Sequence, residues 1–90
     1  YYSRNDIHLE ARKEVEEESV ENPPEKIGGY EVKSTETTDG VKMRFSDGWL
    51  LIRASGTEPL LRLYCEMDEK SKVEQVLSDA EEYARDMAGE

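Results

Sequence analysis

Residues 49–67 read W-L-L-I-R-A-S-G-T-E-P-L-L-R-L-Y-C-E-M, and the rest of the chain is organised around them. Two apolar runs, 49–52 and 60–67, enclose a polar loop that begins at Arg53 and ends at Pro59. Arg53 opens the loop and Arg62 stands just after it, with Ser55, Gly56 and Thr57 between them. A guanidinium presents a planar fork of donors that matches two phosphate oxygens. Hydroxyls add neutral donors, and a turn containing glycine can aim successive backbone N–H groups at one anion. Apolar walls lower the local dielectric and strengthen such a contact. Residue types alone leave a plainer reading open, in which Arg53 and Arg62 form sheet-surface ion pairs with Glu58 and Glu66.

The heptad R-A-S-G-T-E-P, followed by an apolar strand with a second arginine and then a glutamate, resembles the phosphate-binding loop of the α-D-phosphohexomutases. That superfamily comprises the phosphomannomutases, phosphoglucomutases and phosphoglucosamine mutases, and the loop lies in their last domain. The stretch TTDGVKMRFSDGW is similar to the hairpin preceding the loop, and DEKSKVEQVLSDAEEYARDM to the closing helix. The resemblance runs from about Tyr30 to Ala88 without an obvious gap, and more loosely before that. It implies an enzyme that moves a phosphoryl group between the 1- and 6-positions of a hexose, with the phosphoserine and a Mg2+ site in earlier domains. It also implies that residues 1–90 are one C-terminal domain cut from a longer protein, silent catalytically by itself, with no cofactor or metal of its own. Its partners would be a phosphorylated hexose and the other domains. Carried onto matching positions, Arg53, Ser55 and Thr57 form a phosphate clamp, Gly56 lets the backbone approach, and Arg62 adds positive charge. Glu58 orients an arginine, and Pro59 stiffens the end of the loop. Ala54, where many phosphoglucosamine mutases carry proline, tilts the expectation toward phosphomannomutase or phosphoglucomutase.

Composition agrees with a fragment of that kind. Ninety residues make one small domain, and a net charge of −10 argues against nucleic acid and anionic membrane surfaces. No apolar run approaches a membrane span. The single cysteine, Cys65, excludes an internal disulfide and suits the cytoplasm, and its alternation with Leu61 and Leu63 predicts a buried thiol. His8 has no partner that would make a metal or nucleophile site. The run Glu16-Glu17-Glu18 fans around a helix instead of converging on a metal.

In chain order, residues 1–7 are expected as a strand and residues 9–21 as a helix, with Ala11, Val15 and Ser19 at helical spacing. Residues 22–29, with Pro23-Pro24 and Gly28-Gly29, read as a mobile linker. A strand over 30–39 leads to Asp39-Gly40, a two-residue hairpin signal. Residues 41–45 alternate, Asp47-Gly48 signals a second hairpin, and 49–53 read as a central strand covered on both faces, with Trp49 in the core. Residues 60–67 fit helix and strand equally by periodicity, and the resemblance selects strand. Asp68 is expected to cap a final helix whose apolar stripe is Val73, Val76, Leu77, Ala80, Tyr83, Ala84 and Met87, ending near Gly89. The predicted fold is α+β: a four- to five-stranded, mainly antiparallel sheet with two helices on one face. The family's last domain has this build, which is TATA-box-binding-protein-like. Two other readings would be a stand-alone anion-binding module and a structural dimerisation module.

Overall fold

In the computed structural model, which describes residues 1–90, nine elements follow one another. They are β1 (Tyr2–His8), α1 (Arg12–Glu21), β2 (Lys26–Ile27), β3 (Tyr30–Glu31), β4 (Ser34–Glu36), β5 (Val41–Arg44), β6 (Gly48–Ala54), β7 (Leu60–Met67) and α2 (Lys70–Met87). Five strands make one antiparallel sheet in the order β1-β7-β6-β5-β4, and β2 and β3 form a separate small hairpin. This is the α+β sheet with two helices that the sequence predicts. The run 60–67 is a strand, in agreement with the resemblance.

Period-two alternation decides what each strand buries. Leu50 and Ile52 of β6, and Leu61, Leu63, Cys65 and Met67 of β7, point to the helices and are almost wholly buried. Val15 of α1 and Val73, Val76, Leu77, Ala80 and Ala84 of α2 meet them in one core, so both helices cover the same face. The opposite face carries Trp49, Leu51 and Arg53 of β6 beside Arg62, Tyr64 and Glu66 of β7. β6 is central, as expected, but no helix covers this second face. Trp49 is therefore half-buried on the open face, where its Nε1 donates to Glu66 Oε1 at 3.0 Å, and is not a core residue.

Several local expectations are corrected. The first hairpin is wider than two residues, because Glu36 pairs with Lys42 and the loop between the strands spans 37–40. Only Gly40 there has positive φ, 78°, so the conformation that would need both Asp39 and Gly40 left-handed is not formed. The second turn lies one residue earlier than Asp47-Gly48: Phe45 N–H donates to Gly48 C=O at 2.8 Å, which centres the turn on Ser46-Asp47. Gly48 serves close packing instead, since a Cβ there would fall 1.9 Å from the Glu66 carbonyl oxygen. The strand expected over 30–39 is split, as Val32 N–H donates to Glu25 C=O and Lys33 N–H to Arg44 C=O. That step carries the chain from the small hairpin to the sheet edge. Residues 22–29 include β2, whose Ile27 reaches the core.

The first helix starts at Arg12, three residues later than the pattern suggests, because Leu9 is buried in the turn before it and donates its N–H to Pro59 C=O at 2.8 Å. At the start of α2 the cap position is Glu69, without a side-chain cap bond, and Asp68 pairs with Lys72 Nζ at 2.9 Å instead of capping. Gly89 ends the helix at φ 80°: Gly89 N–H reaches Asp86 C=O and Glu90 N–H reaches Arg85 C=O, the double closure of a left-handed glycine stop.

Candidate functional site

The polar loop joins the two most thoroughly paired strands of the sheet. Arg53 and Arg62 are register partners across β6 and β7, so both side chains leave the open face beside one another at the base of the loop. Like charges directly opposite in a ladder are unfavourable unless something compensates them. Here each has one carboxylate. Asp39 Oδ2 accepts from Arg53 Nη1 at 3.0 Å, and Glu58 Oε1 lies 3.6 Å from Arg62 Nη2. Glu58 thus stands by Arg62, whereas Glu66 is occupied by Trp49 and pairs with neither arginine.

Tyr64 completes the cluster. Its hydroxyl accepts from Arg53 Nη2 at 3.2 Å, and its ring lies under the guanidinium, 5.6 Å from Cζ to centroid. Arg4 of β1 approaches the same ring at 5.9 Å. Arg53 has its pKa raised above the ordinary guanidinium value, first by the Asp39 hydrogen bond and then by Tyr64. Arg62 Nε is buried without an acceptor, so part of that fork has donor capacity left.

The loop is ordered by Ser55. Its Oγ accepts N–H bonds from Glu58 at 3.1 Å and Thr57 at 3.4 Å, a serine turn. Ser55 N–H closes back on Leu60 C=O at 2.9 Å. Gly56 does not have positive φ, and a Cβ there would meet nothing within 4 Å, so the fold itself does not require glycine at the tip. The structure therefore brings Arg53, Ser55, Gly56, Thr57, Glu58, Pro59 and Arg62 into one exposed surface loop and its base.

No three His, Cys, Asp or Glu side chains gather where they could hold a metal ion. The loop offers guanidinium and N–H donors, which suit an anion and not Mg2+. No helix is long and apolar enough to cross a membrane.

The sequence reading missed four participants. Tyr64 was legible as a residue two positions beyond Arg62 on the same strand face. Asp39, Arg12 and Glu16 were not, because only folding brings them to the loop: Arg12 Nε donates to Ser55 C=O at 2.8 Å and Ala54 N–H to Glu16 Oε2 at 2.7 Å.

Comparison with known proteins places this loop in context. A family described as the C-terminal domain of phosphoglucomutase/phosphomannomutase matches residues 6–83. A phosphoglucomutase/phosphomannomutase of Thermococcus kodakarensis is 38% identical over 77 residues, which is 86% of this chain and 16% of the relative. A probable phosphoglucosamine mutase of Methanocella arvoryzae is 44% identical over 45 residues, covering 50% of this chain and 10% of the relative. The crystal structure of a phosphoglucomutase/phosphomannomutase family protein from Burkholderia thailandensis superposes with a TM-score of 0.71 over 97% of this chain and 18% of that one, at 16% identity, a likeness of fold. The chain thus spans less than a fifth of the length of these relatives. It belongs to the phosphoglucomutase/phosphomannomutase C-terminal domain family.

Proposed function

We propose that residues 53–59 and Arg62 clamp the phosphate of a hexose phosphate, and that this chain acts as the last domain of a longer, cytoplasmic phosphohexomutase. The observation that carries this reading is the Arg53–Arg62 register, which sets two guanidinia at the base of a loop presenting Ser55, Gly56 and Thr57. Family membership and the small share of the relatives' length support a parent enzyme of that class. Ala54 favours phosphomannomutase or phosphoglucomutase, while relatives named for phosphoglucosamine keep an amino sugar among the candidates.

In this role the domain supplies positioning and remote binding energy, and the parent's other domains supply the phosphoserine chemistry and hold its Mg2+. Arg53 exchanges its exposed Asp39 partner for phosphate oxygens. Arg62 adds the second fork. Ser55 and Thr57 donate hydroxyl protons, and Gly56 admits the anion to the backbone. The clamp reads the phosphate and not the sugar, which fits a substrate that must be held by either of its two phosphates in turn. Closing such a clamp over the substrate also helps keep water from a phosphoserine.

The test is an amide chemical-shift titration with a hexose 1-phosphate and with inorganic phosphate. Expected is weak, millimolar binding, about −4 kcal/mol, with shifts centred on Ser55, Gly56 and Thr57 and abolished in Arg53→Ala. Shifts scattered over the surface, or none at those amides, would overturn the proposal.

A further inference from the structure

At the end of β6 the sheet runs out of neighbours just where the loop begins. β5 pairs with β6 only as far as Val41 opposite Ile52, so the next outward-facing amide on that side, Ala54 N–H, has no strand to meet. Two side chains of α1 take over from the missing strand. Glu16 Oε2 accepts Ala54 N–H at 2.7 Å, and Arg12 Nε donates to Ser55 C=O at 2.8 Å. The first bond needs an N–H at position 54, which every residue but proline supplies.

Arg12 and Glu16 are four residues apart, one turn of helix, so they share a face and could pair with each other. Both are instead directed at the loop backbone. Bonds with one ionised partner are short and strong. The helix that carries them is itself held. Val15 is buried in the core, Ser19 Oγ meets Tyr83 OH of α2 at 2.8 Å, and Leu9 N–H ties the far end of the loop at Pro59. Both ends of the loop are therefore anchored to the segment 9–16.

We infer that Arg12 and Glu16 are positioning residues for anion binding: they fix Ala54 and Ser55 before the ligand arrives, so the donors of Ser55, Gly56 and Thr57 converge without further ordering. A loop ordered in advance loses less conformational entropy on binding, and that difference appears as affinity. The inference rests on the phosphate-clamp reading above.

Three variants of the 90-residue chain test it: Glu16→Ala, Glu16→Gln and Arg12→Ala. Each is titrated with inorganic phosphate by amide shifts of the folded protein, alongside hydrogen exchange. Glu16→Ala is expected to weaken phosphate binding about tenfold and to speed exchange at Ser55, Gly56 and Thr57, with Leu50 and Leu63 amides unchanged. Glu16→Gln keeps an acceptor oxygen and stays within about threefold of the parent chain. Arg12→Ala behaves as Glu16→Ala and serves in its place should that variant not fold. Phosphate affinity unchanged in Glu16→Ala and Arg12→Ala, whatever their stability, would reduce the pair to a structural brace and overturn the inference alone. A parent chain that binds no phosphate would overturn the clamp reading and this inference together.

Discussion

Arg53 and Arg62 face each other Cα to Cα across β6 and β7, and each is neutralised from outside the ladder, by Asp39 and Glu58 respectively. On the proposed reading, these two cations, held side by side with exposed partners, are where phosphate enters by exchange. The Asp39 carboxylate is 74% exposed, so its pair with Arg53 contributes about 0–1 kcal/mol to the fold.

Removing that competitor should strengthen the site. Asp39→Asn is expected to tighten phosphate binding about two- to fivefold, since the anion no longer displaces a carboxylate, and to lower folding stability by no more than about 1 kcal/mol. Titration at fixed ionic strength, paired with urea unfolding, checks both numbers. Weaker binding would mean that Asp39 orients Arg53 more than it competes for it.

The two glycines at opposite ends of β6 and its loop separate fold from function. Gly48→Ala drives a Cβ into the Glu66 carbonyl and should cost about 3 kcal/mol or more, visible as a large fall in thermal midpoint. Gly56→Ala meets nothing and keeps an ordinary φ, so stability should hold or rise by about 0.4–1 kcal/mol. If the ligand approaches the backbone at the loop tip, Gly56→Ala loses phosphate affinity at the same time. Calorimetry and titration on one pair of proteins read out both.

Beyond their shared apolar core, the helices are joined by one side-chain hydrogen bond, Ser19 Oγ to Tyr83 OH at 2.8 Å. Tyr83→Phe leaves the fully buried Ser19 hydroxyl without that partner and should cost about 1–3 kcal/mol. For a chain of this size each kcal/mol lowers the midpoint by about 4–8 °C, which a circular-dichroism melt resolves easily. Because α1 also carries Arg12 and Glu16, faster exchange at Ser55 and Gly56 is expected to accompany the loss.

Cys65 gives the chain an alkaline limit. Burial, then the neighbouring Glu66 charge, push its thiol up to about 12 from an ordinary 9.0. The unfolded chain therefore releases this proton at lower pH than the folded one, and stability falls as pH rises between those values. The loss from this group alone is about 1.4 kcal/mol by pH 10, and none is expected below about pH 8. Unfolding curves from pH 7 to 10.5 test the slope, and Cys65→Ala should flatten it while lowering stability throughout. Rapid labelling of Cys65 by a thiol reagent at neutral pH would contradict its burial.

Much of this was readable in the chain itself. Alternation of apolar residues over 41–45 and 61–67 places the core on one face, and the stripe from Val73 to Met87 marks the closing helix. Turn residues were less informative. Asp39-Gly40 and Asp47-Gly48 carry the same local signal, yet neither forms the turn it advertises; a Cβ on Gly40 would fall 2.5 Å from the Ile52 carbonyl oxygen, and one on Gly48 1.9 Å from that of Glu66. Close packing requires glycine at both positions, and at Gly40 the left-handed φ of 78° requires it as well.

By itself the sequence determined which residue types flank the loop and that Arg53 ends a strand, since period and composition are local properties of a chain. For Arg62 periodicity fits helix and strand equally, and the family resemblance selects strand. Only the tertiary structure decided that the two arginines are register partners, that Asp39 and Tyr64 attend one of them, and that Arg12 and Glu16 hold the loop from α1. Those contacts join residues far apart in the chain, and no local pattern encodes them. They exist because burying one face of each strand and helix in a shared core leaves a single arrangement of the elements, and the polar groups at their ends then meet where that packing puts them.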